Sequence, residues 1–441
     1  MWLFVCNGRN PVSPDVDPGD PLRFTLKGSF AVTLYDTMTG DIVPLPVRYD
    51  NGRTILERPW YIHESMLLLL EEADANCCGA MTETAGKGAE AVSVCGAEGS
   101  ASCDGTALDA AWNSAEADIL PGEVTVTLQE PNMLLLDMAE YALDDGEYYA
   151  EDELLRIDNH ARRELGIPLR RKEVVQPYLV EAGEPEHVLH LRFHIRSEIA
   201  AAGLRLGLEC PESARIELNG TAIPTVSDGW YVDRDIETIP LPEFIPGENL
   251  LEIAVPIGPR TNLENFYLLG EFGVRIGGTV KTLTEPVRKI GWGDIASQGL
   301  PFYTGNLTYR TKVRSRGDFT VRVPQYRGGL VKILVDGTDC GNIAFSPYTL
   351  KVRAAPGEHV VEWKLYGTRQ NGFAQLHHTQ GIYFYQSPNS WRSAGDLWSY
   401  EYRLKPAGIL KSPEVVGAVF LDEAGNARRR SAAAMHFTDR S

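Results

Sequence analysis

Arg215–Gly220 reads RIELNG and Pro246–Pro256 reads PGENLLEIAVP; further along, Lys332–Gly337 reads KILVDG and Pro356–Gly367 reads PGEHVVEWKLYG. Each pair opens with an alternating strand ending in Asn-Gly or Asp-Gly, residues that tolerate the positive φ angles of a tight hairpin turn. Each closes with Pro-Gly-Glu leading into a second alternating strand. Two copies of one hairpin-rich unit, with no helical period between their strands, predict tandem antiparallel β-sandwiches, an architecture that binds more often than it catalyses.

Outward from this repeat, the 441 residues exceed one hydrophobic core and predict two to four domains, with an ordinary 43% of hydrophobic residues to fill them. The net charge of −18, from 42 basic against 60 acidic residues, opposes a nucleic-acid backbone or an anionic membrane as partner. The longest apolar run, Met66–Leu70, is strand-sized and cannot cross a bilayer. MWLFVCNGRNP at the start lacks the basic and hydrophobic regions of a secretory signal, so a cytoplasmic chain, or a piece of a longer one, is expected. Of seven cysteines, Cys77, Cys78, Cys95 and Cys103 crowd into one stretch while Cys6, Cys210 and Cys340 are scattered. Without CxxC knuckles or a neighbouring histidine they read as reduced thiols rather than metal ligands.

Residues 1–136 read as a β-sandwich whose strands alternate from LRFTLKGSFAVTLYD to ESMLLLL and resume at GEVTVTLQEPNMLLLDMAEYALD. Between them, 71–117 falls into Ala, Gly, Ser, Cys and acidic residues and predicts a mobile insertion between two strands of that sandwich. Residues 137–173 form a connector with a helix over 151–166, apolar at Leu154, Leu155, Ile157, Ala161 and Leu165 and stopped by Gly166. Two sandwiches of the jelly-roll type follow, at 174–283 and 291–411, and 412–441 is a C-terminal tail that includes one strand-like run, VVGAVFL. His187, His190 and His194 lie in the first of these, where alternation puts His190 and His194 on one face and His187 off it, so surface histidines are expected rather than a metal site.

No GxSxG elbow, phosphate loop, HExxH helix or GxGxxG turn occurs. A glycosidase needs only two carboxylates. Asp137 and Glu140 are the pair to consider, although the acids of MAEYALDDGEYYAEDE also read as a solvated face. Late in the chain aromatic and polar residues crowd together. Trp391, Trp398 and Tyr400 offer rings against which a pyranose could stack, and Arg369, Asn371 and His378 offer hydrogen bonds to its hydroxyls. Trp230 and Tyr231, after the Asn219-Gly220 turn, form a second such group. Core filling by the same rings is the plain alternative. No cofactor is expected; a structural calcium is common in jelly rolls, but no spacing here identifies a site.

VTLYDTMTGDIVPLPVRYDNGRTILERPWYIHESMLLLL, EPNMLLLDMAEYALDDGEYY with the helix LLRIDNHARRELG, PIGPRTNLENFYLLGEFGV, SQGLPFYTGNLTYR and LYGTRQNGFAQLHH together resemble the C-terminal half of large bacterial glycoside hydrolases. These are α-L-rhamnosidase-like proteins with galactose-binding-like jelly rolls related to the sugar-binding domain of glycoside hydrolase family 2. In them a catalytic (β/α)₈ barrel precedes these modules, and WLFVCN looks like the strand that follows it. No barrel can be read here, so no catalytic residue carries over. The resemblance implies a non-catalytic, carbohydrate-binding or scaffolding portion, with carbohydrate and a separately encoded barrel as partners. An intact glycosidase acting through Asp137 and Glu140 is one alternative. Purely structural modules are the other, and they predict an exposed apolar patch around Trp2, Leu3 and Phe4.

Overall fold

The computed structural model describes residues 1–8, 19–37, 40–62, 64–73, 117–119, 122–169, 183–278, 280–379, 394–422 and 425–427. The chain is mostly β, with strands gathered around three separate hydrophobic cores. In the first, a sheet ordered Trp2–Cys6, Ser65–Glu72, Phe30–Tyr35, Ile42–Leu45 faces a second sheet of Asp20–Lys27, Arg53–Trp60 and Arg48–Asp50. Val32, Leu56, Met66, Leu68 and Leu70 fill the space between.

The repeat that decides the fold forms as its turn chemistry requires. Asn219 and Asp336 both take φ of 50°, each followed by a glycine at positive φ, and each closes a hairpin: Arg215–Leu218 with Thr221–Ile223, and Val331–Val335 with Thr338–Ile343. Each turn residue also ties to the strand after Pro-Gly-Glu. Asn219 Oδ1 accepts from Leu250 N at 2.8 Å, and Asp336 Oδ1 accepts from Val360 N at 2.9 Å. Those strands, Gly247–Ile257 and Gly357–Leu365, then pair along His187–Ser197 and Leu307–Arg322, the long central strands of the middle and C-terminal sandwiches.

Two expectations change. The strands after the insertion do not return to the N-terminal sandwich. Val124–Leu128 pairs with Leu307–Arg322 in the C-terminal sheet, while Asn132–Leu136 pairs with Phe266–Gly270 and Met138–Leu143 with His187–Ser197 in the middle sandwich. Alternation identifies a strand but not its partner. The sign that NMLLL belongs elsewhere is that all five of its residues are buried, as in a strand covered on both faces. The insertion therefore leaves from Ser65–Glu72 and re-enters in other sandwiches; its residues 74–116, with the four clustered cysteines, lie outside the described residues.

The second change concerns the helix, which spans Leu154–Glu164 after a strand Tyr149–Glu153, with Glu153 as its N-cap residue. It is part of a core rather than a connector. Leu154, Ile157 and Ala161 pack with the strands of the middle sandwich. The buried Asp158–Arg162 pair, 2.9 Å apart at one-turn spacing, directs the guanidinium to the carbonyls of Pro168, Pro259 and Thr261. The C-terminal segment joins the same core through Phe302 and Leu376, which are 0% and 3% exposed.

Candidate functional site

The polar centre of the described residues is the seam where 370–379 and 394–404 meet the middle sandwich. Asp137 follows the buried strand Asn132–Leu136 and is itself 3% exposed. Its Oδ1 accepts from Lys281 Nζ at 2.9 Å and from Tyr402 Oη at 2.6 Å, and its Oδ2 lies 3.2 Å from His377 Nε2. His377 Nδ1 lies 2.7 Å from the Ser399 carbonyl. Both ring nitrogens face acceptors, a demand that the imidazolium meets. Burial alone would raise the Asp137 carboxyl, but the Lys281 charge, with His377, holds it well below the usual carboxylate range. For His377 burial works downward, and the bond and charge of Asp137 overcome it and raise the ring.

Glu153 stands beside this network, 3% exposed. Its Oε1 accepts from Gln375 Nε2 at 3.3 Å, and among the described residues no donor reaches Oε2. Burial pushes the carboxyl up to about 8, with the nearby Asp137 and Asp152 adding to the rise and His377 and Arg156 opposing it. Asp137 and Glu153 thus share a site as carboxylate and neutral acid. They line a cavity of about 40 Å³ with Asn265, Tyr267, Phe373 and Ala374. At roughly 10–15 Å³ per water, that is room for about three atoms of water size and not for a sugar ring.

The acid pair considered from sequence is not assembled. Asp137 turns into this network, whereas Glu140 lies on the outer face of its strand, 3.2 Å from the exposed His194. His187 pairs with Asp144 at 2.7 Å, and among the described residues no group of three or more His, Cys, Asp or Glu side chains could hold a metal ion. The acid that does accompany Asp137 is Glu153.

Of the candidate sugar-binding residues, Trp391 lies outside the described residues. Trp398, Tyr400 and His378 come together: Trp398 and Tyr400 meet edge-on at 4.3 Å, and His378 bridges Trp398 through the backbone. The Trp398 ring already carries the Arg156 guanidinium at 4.2 Å and stacks on His377 at 5.8 Å, so it serves the seam, while Tyr400 is 55% exposed. Arg369 is committed to a two-pronged ion pair with Glu130. Asn371 is buried and clamps both the amide and the carbonyl of Lys405. Tyr231 is buried against Tyr267 and Phe373, but Trp230, on the edge strand Gly229–Tyr231, is 58% exposed.

Glu153, Lys281 and Tyr402 escaped the sequence reading. One signal was present: Asp137 interrupts the apolar run MLLLDMA, where a charge must find partners.

A different surface distinguishes the N-terminal sandwich. The register sets Trp2, Leu69, Thr33 and Pro44 in one row across the first sheet, and Phe4, Leu67, Tyr35 and Ile42 in the next. Both rows face away from the core and hold no charged residue. Trp2, Phe4 and Ile42 are 54%, 61% and 61% exposed, and Trp2 packs edge-on against Tyr35 at 4.9 Å. Leu3 turns inward to the core, unlike the expectation that grouped it with Trp2 and Phe4. Among the described residues no helix is long and apolar enough to cross a membrane.

No protein-family model and no curated protein matches the chain. Among solved structures, it is similar to a rhamnosidase from Novosphingobium sp. PP1Y, at 16% identity over 54% of this chain and 23% of that one, with a TM-score of 0.20. It is also similar to a GH2 β-galacturonidase from Eisenbergiella tayi, at 10% identity over 55% of this chain and 38% of that one, with a TM-score of 0.20. An anti-sigma factor domain-containing protein from Clostridium clariflavum matches at 13% identity over 54% of this chain and 90% of that one, with a TM-score of 0.16. The match spans well under half the length of either glycoside hydrolase, and superpositions this loose carry no inference about activity.

Proposed function

We propose that the chain is a non-catalytic scaffold associated with a glycoside hydrolase, and that the outer face of its N-terminal sandwich packs against the separately supplied catalytic barrel. The observation that carries this reading is the pair of uncharged apolar rows led by Trp2 and Phe4. Exposed apolar surface that is contiguous, rather than scattered, marks a site of protein contact. The strand that bears it, WLFVCN, is the same stretch that resembles the strand following the barrel in large glycoside hydrolases. A scaffolding role also agrees with acids that are locked into a seam instead of facing an open cleft.

Pull-down with the intact chain should retain a (β/α)₈ glycoside hydrolase identified by mass spectrometry, and the Trp2→Asp/Phe4→Asp double variant should lose it. Turnover of aryl-glycosides by the purified chain alone would overturn the reading. Carbohydrate recognition is a second role on the same scaffold, favoured by the exposed rings of Trp230 and Tyr400. A glycan array probed with the wild type and with Trp230→Ala and Tyr400→Ala tests each ring separately.

A further inference from the structure

We infer that the outer face of the C-terminal sheet is a docking surface for an acidic segment, and that its occupant is residues 74–116 of the same chain. The strand Leu307–Arg322 alternates from its start, and its outward positions carry Arg310, Lys312, Arg314 and Arg316 in succession, all exposed. Register adds Lys364 and Lys332, which stand directly opposite each other on the next two strands, where like charges repel. Three acids of this face are already taken: Glu362 lies 3.8 Å from Arg310, Glu358 2.5 Å from Arg314 and Asp339 2.6 Å from Lys332. Among the described residues no carboxylate comes within ion-pair distance of Lys312, Arg316 or Lys364, so the face keeps a positive surplus.

That surplus asks for carboxylates, and the chain itself supplies them. Residues 74–116 hold seven acids, from Asp74 to Glu116, against Lys87 alone, one positive less seven negative, or −6. The chain that follows them is already part of this sheet. Asp118 and Ile119 pair with Val415 and Glu414 on the strand Glu414–Leu421, which in turn pairs with Leu307–Arg322. A few residues later Thr125 sits opposite Arg310. A free polyanion has to approach against the net charge of −18, whereas a tethered one is held at high effective concentration. Each exposed ion pair is weak, so docking is spread over several of them and is screened by salt. The face belongs to a different sandwich from the Trp2 and Phe4 rows, so this inference and the docking of a barrel can fail independently.

The test is zero-length carbodiimide coupling of the intact chain at low ionic strength, mixed in equal amounts with an isotope-labelled copy and mapped by mass spectrometry. Lys312 and Lys364 should form amides with carboxylates of 74–116 in their own chain. The yield should fall about fivefold or more at about 0.5 M salt, and equally in Arg314→Ser/Arg316→Ser, which keeps both lysines as reporters. Lys332 should couple to its neighbour Asp339 in every sample, which shows that the sheet is folded and the reagent active. Coupling of Lys332 to Asp339 with no link from Lys312 or Lys364 to 74–116 would overturn the inference. So would links that join labelled to unlabelled chains, which make the occupant a second copy, and so would links whose yield neither salt nor the double substitution changes.

Discussion

The N-terminal sandwich wears apolar side chains on its outside, whereas the seam between the other two sandwiches carries charged ones inside. In the first, Trp2 and Phe4 stand in rows without a charge and more than half exposed. In the second, Asp137, Lys281, Glu153 and His377 are each 8% exposed or less, and three of them are joined by hydrogen bonds. Both arrangements go against the usual sorting of residues, and they teach different things. A buried charge network fixes how two modules of one chain sit together. An exposed apolar face carries information about something outside the described fold.

Unbalancing the charges of the seam should have the largest effect. Lys281→Met removes the ammonium and leaves Asp137 buried with only Tyr402 and His377. Urea denaturation should show a loss of about 3–5 kcal/mol, the usual effect of orphaning one member of a buried pair. A loss below about 1 kcal/mol would mean that water reaches the seam and that it holds nothing together.

Next in size is the pH response. The Glu153 carboxyl keeps its proton up to about pH 8 when folded, whereas its ordinary value is 4.5, so folding takes up a proton between these limits and stability falls as pH rises through them. His377, raised above 6.5 in the folded chain, acts in the same direction: its contribution is complete below 6.5 and disappears as pH climbs through the folded value. Asp137, held below 3.8, contributes above that value and loses its contribution as acid protonates it. Stability should therefore peak near pH 4 to 4.5, above the ordinary Asp137 value and below the ordinary Glu153 value, and decline by on the order of 3–5 kcal/mol toward pH 9. Thermal melts across that range check the shape. Glu153→Gln should flatten the alkaline limb and be the more stable protein at pH 9.

Asp137 stood out in the sequence, but Lys281 and Glu153 beside it did not, for a physical reason. The hairpins were legible because Asn219-Gly220 and Asp336-Gly337 encode their geometry within two residues. The helix was legible because Leu154, Ile157 and Ala161 recur at its period, although sequence placed it three residues early, where Glu151–Glu153 pair as strand instead. Sheet membership of Val124–Leu128 and Asn132–Leu136 was not legible, since a two-residue period is the same in any sheet. The seam was hidden more deeply. The Tyr402–Asp137 bond spans 265 positions and the His377–Asp137 contact spans 240, and no local spacing announces either. Aromatic crowding near Trp398 pointed to the right part of the chain and suggested a sugar platform where the structure stacks Arg156 and His377 on the ring.

At the rim of the seam, Arg369 tests how far its strength extends. The guanidinium grips both oxygens of Glu130 and lies 3.4 Å from Thr304 Oγ1, but its side chain is 40% exposed. Two-pronged geometry raises an ion pair above the ordinary surface level, and exposure lowers it again, so Arg369→Ala should cost about 1 kcal/mol by urea titration. A loss matching that of Lys281→Met would extend the seam to this pair.

The smallest effect on folding is expected where the largest effect on association lies. Trp2 and Phe4 contribute little to the N-terminal core, which is built from the opposite side of the same strand by Leu3 and Val5. Replacing both by Asp removes exposed rings and one edge-on contact with Tyr35, so the melting of the purified chain should shift by no more than about 0.5 kcal/mol equivalent. Leu68→Ala, on the neighbouring strand but facing inward and 1% exposed, should cost about 3 kcal/mol in the same assay. The pair of measurements separates the two faces of one sheet. If Trp2→Asp/Phe4→Asp unfolds the sandwich as Leu68→Ala does, its outer rows are part of the core and the docking surface does not exist. If it leaves the fold intact and abolishes capture of the barrel, the apolar rows are there for the partner.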